Sequence, residues 1–515
     1  MNRKHFTSLV VFVCLAAGGA LAFYQLRFPL RMGNDGAFYV QGAHSILRGE
    51  GYLKYTDDGQ QPQIDWPPIY SLAMAGVIYA TSLDLAPGLK LLNGASTVLF
   101  LALWLVLLKR HLASRWLFAL GALLTVLDWG IWYFNGLVSS EPLSLVVFAL
   151  AMLAGFEALK EGLPSRRVRW LLLTGLALAL LALTRYACVA FVAGSGLVFL
   201  FEGRSRPALQ RIRELAAYSA APALLLGGWF LYCKLATGSY TFLEEYPATP
   251  THYDFAGFLF YTSRWVINAL GVPLRFSPAA FLYLIPVVLL CAAAFRKSRD
   301  PLLAKRTGFL IGNIVLYLGL LYYMYFQHDS FTKRYIFFLV PLFELTFLLV
   351  ADALVTRKLA FGRLGRRCAA GALALFLAAF VVSSPRRTLE RIRMSQARTS
   401  DTIEGLNVVW FHVSLELLPL MERELGEDDV VISNFARYVS AFLDRPCLSI
   451  RSIEDLSVIL RDARYDGKEI YLLLSKTRRF DESEYPMIDW QDFVRDLAYE
   501  TVHDEPNARL MRLSP

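Results

Sequence analysis

Asp35 stands in the stretch Met32-Gly-Asn-Asp-Gly-Ala-Phe-Tyr39, a few residues beyond an apolar run and among small neighbours. A carboxylate so placed can take a proton from an incoming hydroxyl, or it can cap a helix that starts at Gly36. The spacing leaves both uses open, and they are compatible. Glu141 follows Ser139-Ser140 and opens an otherwise apolar segment. An acid at that point of a membrane helix is expensive to bury and is often functional. Capping by Ser140 or Glu141 at the positive end of the helix dipole is the alternative. If the two acids converge, one can serve as base while the other positions it or shares a divalent metal; a metal requirement stays open. Two cationic stretches complete the set: Thr184-Arg185-Tyr186 joins two apolar runs, and Lys333-Arg334-Tyr335 opens another. An Arg beside a membrane surface can grip a phosphate through paired N–H bonds, or can simply snorkel to the interface.

The scaffold that must hold these residues is a membrane one. Of 515 residues 56% are hydrophobic and 18% charged, with mean hydropathy +0.43, against about 25% charged in an ordinary soluble domain. Repeated apolar runs of nearly 20 residues predict an α-helical polytopic membrane protein in the lipid bilayer. The net charge of +9 is unevenly spread: residues 400–515 carry 13 Lys+Arg and 23 Asp+Glu, so the rest of the chain is strongly basic. Its bases crowd into short loops, which is the positive-inside pattern. They form no aromatic-interleaved patch on a soluble domain, so no nucleic-acid partner is expected. Five of the six cysteines lie in or beside apolar runs and only Cys447 in the polar tail, so neither a disulfide framework nor a metal-ligand spacing is implied.

The apolar runs predict about eleven spans: Phe6–Tyr24, Asn93–Leu108, Trp116–Phe134, Glu141–Leu159, Trp170–Thr184, Ala187–Phe201, Leu215–Leu235, Pro278–Phe295, Thr307–Phe326, Tyr335–Val355 and Cys368–Ser383. Phe6–Tyr24 exceeds a signal peptide's ~7–15 apolar residues and is expected to stay as a first span with a cytoplasmic N-terminus. Lys109-Arg110-His111 and Arg115 belong on the cytoplasmic side. That parity makes Ile69–Ser82, opened by Pro67-Pro68, a re-entrant or interfacial helix rather than a crossing. The expected division is a transmembrane domain, 1–384, with an external catalytic loop at 27–68, and an external (periplasmic) α/β domain at 385–515. In that second part Glu427–Ser433 and Lys468–Ser475 read as buried strands, and Ile453–Arg464 and Asp489–Tyr499 as helices.

Asp35-Gly-Ala-Phe-Tyr39, then Ala43, Leu47 and Gly49-Glu-Gly51-Tyr52, then Trp66-Pro-Pro-Ile-Tyr70, resemble the first external loop of polyprenyl-phosphate-dependent GT-C glycosyltransferases. The nearest group is that of the protein mannosyltransferases and lipid A aminoarabinose transferases. Ser140-Glu141 is similar to that family's second acidic position, and Arg334-Tyr335 ahead of Pro341 to its late Arg-Tyr motif. The likeness runs in order through residues 30–350. It departs at Trp66, where His is common, and at Arg185, where Lys is frequent. The resemblance implies an inverting transfer of a sugar from a polyprenyl phosphate to an acceptor hydroxyl on a lipid, glycan or protein. Asp35 would be the general base, with Glu141 as the second catalytic acid. Arg185 and Arg334 would meet the leaving phosphate, with Tyr39, Tyr70, Lys333 and Tyr335 as further substrate contacts. A lipid-linked sugar flippase and a polysaccharide polymerase or ligase are the other classes compatible with a basic membrane protein of this kind.

Overall fold

An apolar run in lipid must satisfy its own backbone, so it becomes a helix. The computed structural model describes residues 3–25, 27, 31–32, 34–56, 59–160, 163–240, 300–327 and 337–356. Toward the C-terminus it describes 421, 423–426, 429–433, 439–440, 443, 445–449, 456, 459–460, 468–475, 499–504 and 508–513. The helices in chain order are α1 (Arg3–Gln25), α2 (Asn34–Leu47), α3 (Ile69–Thr81), α4 (Leu85–His111), α5 (Arg115–Val126), α6 (Trp129–Asn135), α7 (Glu141–Ala158), α8 (Pro164–Ala182), α9 (Val189–Glu202), α10 (Ala208–Thr237), α11 (Pro301–Gln327) and α12 (Leu339–Val355). Among the described residues seven helical stretches are long and apolar enough to cross a membrane. The chain forms two compact units. One comprises Met1–Pro29, Lys90–Gly136 and Ser140–Arg398; the other comprises Leu30–Leu89, Leu137–Ser139 and Thr399–Pro515.

The first unit is helical. Its core is aromatic: Phe191 stacks on Tyr317 at 4.6 Å, and Phe148 and Phe338 pack against Phe191. Helices α8 and α10 approach so closely that a Cβ on Gly175 would lie 2.0 Å from the Tyr218 carbonyl oxygen. Only glycine fits that crossing. The expected span Trp116–Phe134 is met by the apolar stretch Arg115–Asn135, built of two helices because the chain breaks at Leu127-Asp128 and restarts as α6. Asp128 caps the restart, its Oδ1 accepting from the Gly130 N–H at 2.8 Å, as a favoured N-cap does. Helix α4 is longer than the expected Asn93–Leu108, starting at Leu85. Asp352 on α12 accepts from the Ala113 and Ser114 N–H groups at 3.0 and 2.6 Å, tying α12 to the start of α5. The expected spans Pro278–Phe295 and Cys368–Ser383 lie outside the described residues.

Basic residues that the sequence distributes over separate loops meet at one end of this unit. Arg110 and Lys160 reach Glu157 at 3.6 and 2.5 Å. Arg167 pairs with Glu202 and, at 3.1 Å, with Glu214, while Arg206 binds both acids and Lys305 reaches Glu202 at 3.0 Å. The ends of α4, α7, α9 and the starts of α8, α10 and α11 are thereby gathered.

The second unit holds the early loop and the C-terminal part. Strand β1 (Arg31–Met32) pairs in parallel with β4 (Leu137–Val138), Arg31 opposite Leu137 and Met32 opposite Val138. An antiparallel hairpin, β2 (Leu53–Thr56) with β3 (Gly59–Pro62), follows α2. Helix α3 has 13 residues, about 20 Å at 1.5 Å per residue, too short for a ~30 Å hydrocarbon core. That length suits the re-entrant or interfacial reading. The C-terminal strands are β5 (Val430–Ser433), β6 (Leu448–Ser449), β7 (Ile470–Ser475), β8 (Tyr499–Asp504) and β9 (Ala508–Leu513). They form one sheet in the order β6-β5-β7-β9-β8, with β9 antiparallel to both neighbours. Alternation buries both faces: Val431, Tyr471 and Leu473 pack on one side, Val430, Ile432 and Leu472 on the other. Leu456, Ile459 and Leu460 are helical, inside the expected Ile453–Arg464. The expected helix Asp489–Tyr499 is corrected at its end, since Tyr499 opens β8, and its residues 489–498 lie outside the described residues.

Candidate active site

Asp35 sits in the first turn of α2, which starts at Asn34 rather than Gly36, so it is a helical residue and not the cap of a helix from Gly36, one of the two uses the spacing leaves open. It is half-buried, while Gly36 to Ala43 behind it are buried. The turn is held from below by a packed seam. Phe38 stacks on Trp66 at 4.7 Å, and Tyr39 meets Tyr70 edge-on at 5.0 Å. The Ser71 hydroxyl donates to the Tyr39 carbonyl at 2.9 Å, and the Tyr52 hydroxyl donates to the Trp66 carbonyl at 3.1 Å. Gly42 leaves the room for Tyr52, since a Cβ there would lie 2.3 Å from its ring. Tyr39 and Tyr70, expected to meet substrate, are 3% and 0% exposed, and their rings join α2 to α3. The departure from the family pattern at Trp66 is thus a stacking residue. Lys54, on the hairpin, pairs with the buried Asp65 at 2.5 Å, a contact the sequence gave no reason to expect.

Glu141 is the first residue of α7 and is 0% exposed. Arg185, 8% exposed, reaches its Oε1 through Nη1 at 2.6 Å and lies 3.4 Å from the Ser140 hydroxyl. The backbone explains the reach. Helix α8 stops at Ala182, Arg185 is extended at φ −152°, and a short 3-10 turn, Tyr186–Cys188, leads into α9. The side chain therefore leaves the break between two helices and enters the bundle rather than snorkelling outward. Tyr186 is fixed in turn by the Trp229 indole, which donates to its hydroxyl at 2.8 Å. A buried pair of this kind is costly to assemble but costlier to break.

The chain that delivers Ser140 and Glu141 is anchored by buried amides. Asn135 Nδ2 donates to Gln25 Oε1 at 2.5 Å, and Gln25 Nε2 to the Trp132 carbonyl at 2.8 Å. Thr97 donates to Asn135 Oδ1 at 2.9 Å and Asn93 to its carbonyl at 3.3 Å. Sequence reasoning missed this ladder, although Asn93 and Thr97 at i, i+4 within an apolar run was its visible trace. It also missed the buried acids Asp128 and Glu344. The β1–β4 ladder then ties the chain three residues before Asp35 to the chain three residues before Glu141. Lys333, Arg334 and Tyr335 lie outside the described residues. No group of three His, Cys, Asp or Glu side chains fit to hold a metal ion stands among the described residues.

Comparison with solved structures decides the fold. The chain is similar to ArnT from Cupriavidus metallidurans bound to undecaprenyl phosphate. The TM-score is 0.56 at 12% identity, over 98% of this chain and 99% of that one. It has the GT-C fold. A second similar GT-C structure is the archaeal oligosaccharyltransferase AglB from Archaeoglobus fulgidus, in complex with an inhibitory peptide and a dolichol-phosphate. There the TM-score is 0.54 at 10% identity, over 92% of this chain and 69% of that one. The arabinofuranosyltransferase AftD from Mycobacteria matches with a TM-score of 0.50 at 15% identity, over the whole of this chain and 42% of its own. No protein-family model and no curated protein matches the sequence. The GT-C fold of this chain is therefore carried by three-dimensional likeness at identities of 10–15%.

Proposed function

We propose that the protein is an integral membrane glycosyltransferase that moves a sugar from a polyprenyl-phosphate donor to an acceptor hydroxyl, with inversion. The observation that carries this reading is the GT-C fold over 98% of the chain, shared with a protein captured on undecaprenyl phosphate. A fold alone hosts many chemistries, so the residues must supply the rest. Asp35, half-buried in a turn stiffened by the α2–α3 seam, is the general base that takes the acceptor proton. Arg185 and Arg334 stabilise the charge that develops on the leaving phosphate. Glu141 accepts from Arg185 and aims its guanidinium. Lys333 and Tyr335 stand beside Arg334 in the chain and serve the same donor head group. The acceptor is a lipid, a glycan or a protein hydroxyl.

The basic end of the helical unit faces the cytoplasm by the positive-inside rule, and the Glu141–Arg185 end faces outward, with the N-terminus inside and residues 400–515 outside. Reporter fusions after Arg166 and after residue 400 test this, and a cytoplasmic signal from the latter overturns it. For the chemistry, Asp35→Asn keeps size and helix and removes the base. Single-turnover transfer from a polyprenyl-phosphate sugar is expected to fall by ~10²–10⁴ with donor binding little changed. Transfer at the wild-type rate would leave Asp35 a structural residue and move the base elsewhere.

A further inference from the structure

The ion cluster at the basic end has more cations than acids to receive them. Glu214 takes Arg206 at 2.7 and 2.8 Å, Arg167 at 3.1 Å and the Gln210 amide at 2.8 Å. Glu202 takes Arg167, Arg206 at 3.1 Å and Lys305 at 3.0 Å. Arg167 spends its remaining N–H on the Ala158 carbonyl at 2.6 Å. Arg211, one turn into α10, is left over: its Nε is buried with no hydrogen-bond partner among the described residues. Its stem passes Gly203, where a Cβ would lie 3.7 Å from Arg211 Cγ.

Arg211 lines a shallow surface groove whose other walls include Leu171, Phe199, Leu200, Leu215 and Tyr218. Glu214 also borders it, with its charge already offset by two arginines. The rim belongs to the lipid-facing surface, for Leu200 and Leu215 are 38% and 43% exposed and lie on helices apolar enough to span a membrane. Arg204 and Arg213 add exposed positive charge beside it.

We propose that this groove binds one anionic phospholipid, its phosphate on Arg211 and an acyl chain along Leu200 and Leu215. Charge complementarity selects the head group: the Arg211 guanidinium, its Nε without a hydrogen-bond partner among the described residues, attracts an anion, and basic pockets between membrane helices supply such sites. The apolar walls select a lipid over a free anion, because a soluble phosphate would leave Leu171, Phe199 and Leu215 unused.

Lipid retention by the purified full-length protein, read by native mass spectrometry from mixed phosphatidylglycerol and phosphatidylcholine, tests this. The wild type should retain phosphatidylglycerol preferentially. Arg211→Gln should reduce that retention about tenfold, the loss expected of one charge-assisted hydrogen bond, whereas Arg213→Gln should change it little. Leu215→Trp, which fills the groove and leaves Arg211 in place, should reduce retention of both lipids and decides the matter if Arg211→Gln fails to fold. Unchanged phosphatidylglycerol retention in either groove variant would overturn the proposal. So would its displacement by an equal concentration of inorganic phosphate, which would mean that the groove holds the anion without the lipid.

Discussion

Helices α7 and α8 carry buried ions at both ends, about 25 Å apart along 18 residues, and the two ends are built differently. At the α7 start Glu141 meets Arg185 beside Ser140. At the other end Glu202 and Glu214 share Arg167 and Arg206, Lys305 reaches Glu202, and Arg167 adds a backbone carbonyl. A many-partnered cluster keeps its geometry when one member is perturbed, which suits a clamp on helix ends. An ion pair at a helix break turns an arginine into the bundle beside a serine hydroxyl, which suits a group that must present charge to something else. Burial alone does not distinguish a structural ion from a working one; the position of the pair, at a helix break or across several helix ends, is the difference between the two ends.

The largest expected effect falls on the cluster. Arg167→Met leaves two buried carboxylates short of their central partner and should destabilise the protein by ~3–5 kcal/mol, seen as a lowered unfolding midpoint in detergent. Turnover per folded molecule should stay at the wild-type value; a lost turnover would give the cluster a part in the reaction. The paired replacement Glu141→Gln with Arg185→Met comes next. Removing both charges spares the fold the cost of an orphaned ion, but transfer should drop by ~10²–10³, as when a preorganised donor to a developing anion is lost. Wild-type turnover in that double variant would make the pair a clamp like the cluster and erase the contrast. The smallest effect belongs to Lys305→Met, since Lys305 is the most solvent-exposed of the cluster's cations and Glu202 keeps two arginines. It should cost only ~0.2–1 kcal/mol in unfolding stability; a cost as large as that of Arg167→Met would mean the cluster has no redundancy.

Much of the helical unit was legible because lipid leaves the backbone few choices. The apolar runs from Phe6–Tyr24 to Tyr335–Val355 mark helices wherever the described residues reach them, and the loop charges pointed to one shared end that the Arg110–Glu157 and Lys305–Glu202 contacts then assemble. Asp35, Glu141 and Arg185 stood out by themselves, since a charge at the edge of an apolar run is expensive and therefore visible.

Other features depend on which segments meet, and no local pattern encodes that. Arg185 read equally well as a snorkelling base; only the break between α8 and α9 turns it onto Glu141. Arg167 and Arg206 looked like loop charges until Glu202 and Glu214 arrived from two other helices. Trp116–Phe134 has the hydropathy of one span, yet Asp128 restarts the helix, because an N-cap needs only two backbone N–H groups and leaves hydropathy almost unmoved. Tyr39 and Tyr70, which the resemblance implies as substrate contacts, also form the seam between α2 and α3, a pairing no local pattern announces. The sequence by itself thus set the membrane class, the helix positions and the identity of the chemically able residues, because those follow from the local cost of exposing or burying each group. The tertiary structure decided which charges are partnered, how often, and what remains over, because that cost is settled by neighbours distant in the chain.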